Sequence, residues 1–213
     1  MADLTVSAAV DTIMSAADYP AIRAALDLEA GTDFFATRTG VYRHLYIAAA
    51  SFAPRTTNGA EAATEEYVTN DITLDQYLFD TTTEEGIQVA YMMPDEWDLG
   101  TIKYKIIWDP ATGASAADTV SWGVRAGAIS NDDPIDAALG TQIVVNDIVI
   151  AVGDVHVSPA SAALTIAGTP ALGDLCVFQV VRNVSGTDDM VEDAKFLGLA
   201  IQYKESTTEA SIW

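Results

Sequence analysis

The sequence predicts a mainly β protein, an antiparallel β-sandwich of jelly-roll-like strand content, preceded by a short N-terminal helical segment. Three observations carry this. Residues 102–108 alternate, with Ile102, Tyr104, Ile106 and Trp108 on one side and Thr101, Lys103 and Lys105 facing the other way. A period of two places successive side chains on opposite faces, so this is a half-buried strand with one wet face. From Gly86 onward, turn signals recur roughly every ten residues between short apolar runs, the spacing of a sandwich or barrel. Ahead of them, Val6, Val10, Ile13 and Met14 recur at helical spacing, and after Asp18 and Pro20 the residues Ile22 and Leu26 extend a second short stripe.

Taken in order, four regions follow: a helical attachment or oligomerisation segment over 1–30, a connecting region with early strands over 31–85, a sandwich over 86–204, and a polar tail over 205–213. Within 31–85, RHLYIAAASF reads as a strand, Thr56 to Glu66 as a polar loop, and Ile72 to Phe79 as a strand. In the stretch from Gly86 to Trp108, a first strand that places Ile87, Val89 and Tyr91 together and a second that contains Ile102 to Trp108 are joined by an acidic corner with Pro94 and Gly100. Val120 to Ala128 alternates cleanly. Ile135 to Leu139 reads as one helical turn, and Ile143 to Val152, β-branched and apolar on both sides, as a central strand. Short strands are expected around Val155 and Val157 and around Leu164 and Ile166. Leu175 to Val181 and Phe196 to Tyr203 complete about eight, the number a jelly roll requires.

Composition narrows the function. The chain has 213 residues, half of them hydrophobic, with 10 basic against 31 acidic residues and a net charge of −21. Such a charge repels phosphate backbones and anionic membranes, so neither nucleic acid nor membrane is an expected partner. No apolar run approaches membrane-spanning length. Cys176 is the sole cysteine, so there is no internal disulfide, and MADLTVSAAV carries an acid where a secretion signal needs bases. Synthesis in a cytoplasm is therefore expected.

Few residues offer chemistry. His44 lies in an apolar strand beside Arg43, and His156 alternates with Val155 and Val157; each reads as a strand histidine and not as a catalytic base. Cys176, between Leu175 and Val177, reads as a small buried hydrophobe. No nucleophile elbow, phosphate loop, dinucleotide fingerprint or zinc spacing occurs, so no catalytic residue is assigned and no cofactor is expected. Asp95, Glu96 and Asp98 are grouped in the corner loop, where carboxylates could ligate Ca²⁺, although this ion takes six to eight oxygens and the cluster is underfilled. Trp97 in the same loop is the candidate for stacking on a sugar ring, against a reading as a lid on the end of the sandwich.

VSAAVDTIMSAADYPAIRAALDL resembles a segment that recurs in bacteriophage fibre proteins near attachment or trimerisation regions, matching at Val6-Ser7, Ile13-Met14, Asp18, Arg23 and Leu26 to Leu28. It departs at Tyr19-Pro20 and Asp27. MPDEWDLGTIKYKIIW, VSWGVRAGAI, GDVHVSP, IAGTPALGDLCVFQVVR and DAKFLGLAIQY together resemble a sandwich domain of fibre and capsid-associated proteins of tailed phages. The resemblance implies a structural virion protein, a short fibre or a capsid decoration protein. Its location would be the virion, and its partners copies of itself in a homotrimer, other virion proteins and a host-surface glycan. In that reading Val6, Val10, Ile13, Met14, Ile22 and Leu26 bury an apolar stripe that a short helix cannot shelter alone. The alternative is a free-standing carbohydrate-binding sandwich.

Overall fold

The computed structural model describes residues 40–184 and 186–206. The predicted helical segment, with Val6, Val10, Ile13, Met14, Ile22 and Leu26, lies outside the described residues, as do residues 207–213 of the tail.

From Tyr42 onward the described residues form an antiparallel sandwich of eleven strands. They are β1 (Tyr42–Ala48), β2 (Ala53–Pro54), β3 (Glu61–Tyr67), β4 (Ile72–Phe79), β5 (Gly86–Met92), β6 (Lys103–Pro110), β7 (Thr119–Ile129), β8 (Ile143–Ile148), β9 (His156–Val157), β10 (Leu175–Arg182) and β11 (Ala194–Lys204). One sheet has six strands in the order β3-β4-β11-β6-β9, with β1 also on β11; the other has five in the order β2-β5-β10-β7-β8. Between them lies a core of alternating inward residues. Trp122 is its centre: its ring meets Phe79 edge-on at 5.2 Å and Trp108 at 6.2 Å, and both indoles are fully buried. Trp108 Nε1 donates to Asp147 at 2.8 Å, and the hydroxyl of buried Tyr104 donates to the Ile143 carbonyl at 2.6 Å. Buried indole and phenol groups usually find such partners, although Trp122 Nε1 has none among the described residues.

Several expectations are corrected. Residues 61–67, read as part of a loop, form β3, because seven successive pairs with β4 outweigh their polar composition. Within the region read as connecting, 31–85, β1 and β4 both pair with β11. The run 143–152 is not a central strand: β8 stops at Ile148 and pairs only with β7, leaving Ile148 and Ile150 exposed at the edge. Residues 135–139 form no helical turn, and 164–167 contribute only isolated bridges to Ile102 and Gly127.

One topological detail positions the site. On one edge of β11, β4 pairs with Ala194 to Phe196 and β1 with Gly198 to Lys204. The β11–β6 register shifts between Phe196 and Gly198, which makes Leu197 a bulge. Because β1 occupies the edge beyond residue 197, β4 cannot continue along it towards its own N-terminus. The β3–β4 hairpin instead leaves the sheet and lies across its outer face. Its far end is held there by Tyr67 Oη donating to Asp109 at 3.2 Å and by Lys195 Nζ at 2.7 Å from Glu65.

Candidate functional site

The outer face of the six-stranded sheet carries a trough along β11. Alternation on β1 turns Leu45 and Ile47 towards the core and Tyr42, His44 and Tyr46 outward. On β6 it turns Tyr104 and Ile106 inward and Lys103 and Lys105 outward. The strand between them, β11, presents small groups, Ala200 and Gly198, together with Gln202. The registers line these up in rows: His44, Gln202, Lys103; then Tyr46, Ala200, Lys105; then Ala48, Gly198, Ile107. Two interstrand spacings make the trough about 10 Å wide, and the run from Lys204 to Gly198 makes it about 20 Å long. One wall is therefore aromatic and the other cationic.

Tyr46 is the distinctive element. A Cβ at Gly198 would meet ring atoms of Tyr46 at 2.4–2.5 Å, so the phenol lies directly over that glycine. Its hydroxyl donates to the Leu197 carbonyl at 2.9 Å, and burial raises the phenol above its ordinary pKa. The residue is still 57% exposed, and Tyr42, two positions earlier on the same side, is 58% exposed. Gln202 donates its amide to His44 Nε2 at 2.9 Å, which leaves His44 as the acceptor.

Two depressions open along this face. One, about 210 Å³, lies between His44, Gln202, Ala200 and the two lysines. The other, about 350 Å³, lies at the hairpin end between Tyr46, Leu197, Ile107 and Val155, with Thr73, Leu74 and Asp75 of the hairpin as its outer wall. Asp75 accepts the Thr64 hydroxyl at 2.7 Å. Beneath the hairpin, Asp109 is 2% exposed and takes Tyr67 Oη, Gly153 N at 3.1 Å and Lys195 Nζ at 3.4 Å. Burial, with the Asp109 charge next, pushes the Tyr67 phenol up to about 12. Hydrogen bonds from Lys195 and Gln76 hold Glu65 below the usual carboxylate range.

The residues singled out from the sequence lie elsewhere. Trp97 is 1% exposed, folded under the end of the sandwich, with Asp98 N bonded to the Lys204 carbonyl beside it. Its ring therefore offers no face to a sugar, and the expectation of a glycan contact there is corrected. Asp95, Glu96 and Asp98 do not form a cation cage. Asp98 binds Gly100 N at 3.0 Å and Lys204 at 3.3 Å, and among the described residues no three His, Cys, Asp or Glu side chains come together to hold a metal. His156 stacks on Trp108 at 4.8 Å between ring centroids, accepts from Ile150 N at 2.9 Å and donates to the Asp154 carbonyl at 2.8 Å. Cys176 is buried, which pushes its thiol up to about 11 and away from the reactive thiolate. The rings that do face solvent, Tyr42 and Tyr46, carried a usable signal: they alternate with Leu45 and Ile47 in YRHLYI.

No family model matches the chain, and no curated protein matches it. Among solved structures, the fold is similar to the CBM22-1–GH10 modules of xylanase 10B from Clostridium thermocellum, complexed with xylohexaose, at 14% identity and a TM-score of 0.44, over 80% of this chain. This chain spans 29% of that protein's length. It is similar to TmCBM27, a carbohydrate-binding module for which mannan recognition is described, at 13% identity and a TM-score of 0.39, covering 76% of this chain and 98% of that one. The family 11 carbohydrate-binding module from Clostridium thermocellum, in complex with a β-1,3-1,4-mixed-linked tetrasaccharide, shares 10% identity at a TM-score of 0.40, covering 80% and 98%. At these identities the likeness is one of fold alone.

Proposed function

We propose that this protein binds a glycan chain in the trough on its six-stranded sheet. The observation that carries the reading is Tyr46, an exposed ring seated on Gly198 in the floor of an open trough. Sugar rings present apolar C–H faces edged by hydroxyls. An aromatic platform covers the former, and nearby amide, imidazole and ammonium groups take the latter. Tyr42 supplies a second ring along the trough, and Gln202, His44, Lys103 and Lys105 supply the polar contacts. The role proposed is binding; His156 has both hydrogen-bonding sites occupied inside the fold, and Cys176 is buried.

The test is affinity electrophoresis of the full chain through gels carrying single polysaccharides, neutral and charged, beside Tyr42→Ala/Tyr46→Ala. The wild type is expected to be retarded by at least one polymer and the double variant to run free, with an unchanged thermal midpoint apart from the loss of the Tyr46 hydrogen bond. Equal retardation of both proteins would remove the trough from consideration. No retardation of the wild type by any polymer would end the glycan reading.

Attachment to a virion is a compatible second reading. It rests on the fibre-like N-terminal segment, and the exposed β8 edge favours assembly, with Ile148 53% and Ile150 74% exposed. Light scattering of the full chain is expected to give a trimer that Ile13→Asp with Leu26→Asp converts to monomer. An unchanged mass would count against it.

A further inference from the structure

The charge on the trough is opposite to the charge on the chain. Against 31 acidic residues the protein has only four lysines, and all four, Lys103, Lys105, Lys195 and Lys204, stand at outward positions of β6 and β11 on this one face. Two are committed to the fold: Lys195 to Glu65 and Asp109, and Lys204 to Asp98 at 3.3 Å. The other two are not. Among the described residues Lys103 and Lys105 pair with no carboxylate, both are exposed, and both line the 210 Å³ depression with His44 and Gln202.

Lysines on strands commonly serve to block edge-to-edge pairing. That account does not apply here, because the free edge of β6 is already covered. Ser161 N donates to the Tyr104 carbonyl and Ser158 N to the Ile106 carbonyl, each at 2.9 Å, while the two serine hydroxyls accept from Tyr104 N and Ile106 N. Two unpaired ammonium groups about two residues apart, on a protein of charge −21, form a local well for anions inside a repulsive field. The carboxylates described along this face have partners of their own: Asp75 is bonded to Thr64, Asp98 to Lys204, and Glu65 and Asp109 to Lys195.

We infer that the glycan held in the trough is anionic, with a uronate carboxylate or a sulfate ester seated between Lys103, Lys105 and the Gln202 amide while the sugar ring lies towards Tyr46. This rests on the trough being a glycan site and names the class of sugar it takes. The acidic remainder of the surface repels polyanions that do not fit the trough, so selectivity comes from the contrast between them.

Matched pairs of polymers on the full chain test it: polygalacturonate against its fully methylated ester, and dextran sulfate against dextran. Within each pair the backbone is shared and only the charge differs. The expected result is binding to at least one charged member and binding at least roughly tenfold weaker to its neutral counterpart. The pair that shows the difference identifies carboxylate or sulfate. Lys103→Gln/Lys105→Gln, both at exposed positions, should remove most of that preference without shifting the thermal midpoint, while the affinity of the wild type falls as salt rises. Equal binding of charged and neutral members, with Tyr42→Ala/Tyr46→Ala still abolishing it, would leave a glycan site but overturn the anionic assignment. Charged-polymer binding that survives Lys103→Gln/Lys105→Gln would also overturn it, as would single-stranded DNA bound as tightly as the charged glycans. Failure to bind any of the four polymers would overturn the assignment, and the broader polysaccharide panel then decides the glycan reading separately.

Discussion

Gly198→Ala alters the trough without replacing any side chain proposed to contact ligand. The new methyl would sit 2.4 Å from Tyr46 Cε2 and Oη and 2.5 Å from Cζ, against about 3.5–4.0 Å for an ordinary carbon contact. The ring must therefore rise by more than an ångström. It is the free end of a side chain on an exposed strand, so swinging it away costs the fold little beyond the 2.9 Å bond to the Leu197 carbonyl, about 1 kcal/mol. For a chain of this size that is a fall of roughly 2–4 °C in thermal midpoint. Binding should suffer more. An aromatic anchor at the centre of a site is typically worth about 2 kcal/mol, or roughly a thirtyfold change in Kd, and the displaced ring no longer lies in the floor. Tyr46→Phe separates the two effects: it forfeits the same hydrogen bond and about the same stability but leaves the ring over Gly198, so its affinity should stay within about twofold of wild type. Calorimetric titration with a retained polysaccharide, alongside scanning calorimetry, measures both quantities. The expected order of affinity is wild type and Tyr46→Phe together, with Gly198→Ala and Tyr46→Ala together well below. Wild-type affinity in Gly198→Ala with loss in Tyr46→Ala would refute the claim that ring placement on the glycine makes the platform.

Two further predictions concern the frame around the site. Arg182 is fully buried and each of its nitrogens is partnered, with Asp188 taking Nε at 3.0 Å and Nη2 at 2.8 Å, and the carbonyls of Phe79, Met190 and Glu192 taking the rest; Asp188→Ala strands this cation, and denaturant titration should show a loss of about 3–5 kcal/mol, a loss below about 1 kcal/mol counting against it. The hairpin latch is pH-dependent with defined signs. Glu65 is depressed, so its contribution is present above the ordinary carboxylate value of 4.5 and is lost as pH falls through the lower folded value. Burial alone would lower Lys195, but Glu65 and Asp109 outweigh it and hold it above 10.5, so its contribution is lost only as pH rises through that raised value. The difference in unfolding free energy between wild type and Glu65→Gln should be flat near neutrality and vanish on acidification. It should amount to no more than about 1 kcal/mol, because the Glu65 side chain is 37% exposed; a difference that grows on acidification would contradict the assignment.

Much of the fold was legible because the core strands obey a period of two over long runs. Ile102 to Trp108 bury the side that their alternation indicates, down to the wet Lys103–Lys105 face, whereas Val120 to Ala128 are buried on both sides. The misreadings occur where pairing overrides local composition. EAATEEY has poor strand propensity and becomes β3 only because β4 lies beside it. IVVNDIVIAV has the apolar density of a central strand and yet takes an edge, since the order of strands in a sheet is a long-range property that periodicity does not record. The site shows the same division. Each wall of the trough could be read from its own strand, YRHLYI for the rings and TIKYK for the lysines. That the two walls face each other across Ala200 and Gly198 follows only from β11 pairing with both. Trp97 is buried for a related reason: it lies in an acidic loop of exposed composition, but the loop is tied to the end of β11 through Asp98 N and the Lys204 carbonyl.

The trough exists because two strands compete for one edge. Had β4 kept its place along β11, the hairpin would lie in the plane of the sheet, and no wall would stand at residue 197. Because β1 takes Gly198 to Lys204, β4 is displaced onto the outer face, where it covers Lys195 and Asp109 and leaves Ala200, Gln202 and Lys204 open. The division between covered and open lysines thus follows the point where β1 begins to pair. The bulge at Leu197 marks that same point in β11, and its carbonyl is the one that receives Tyr46. The feature that diverts the hairpin also seats the ring, so the closed end of the trough and its aromatic floor arise from one local irregularity. A change that removed the bulge would be expected to disturb both together.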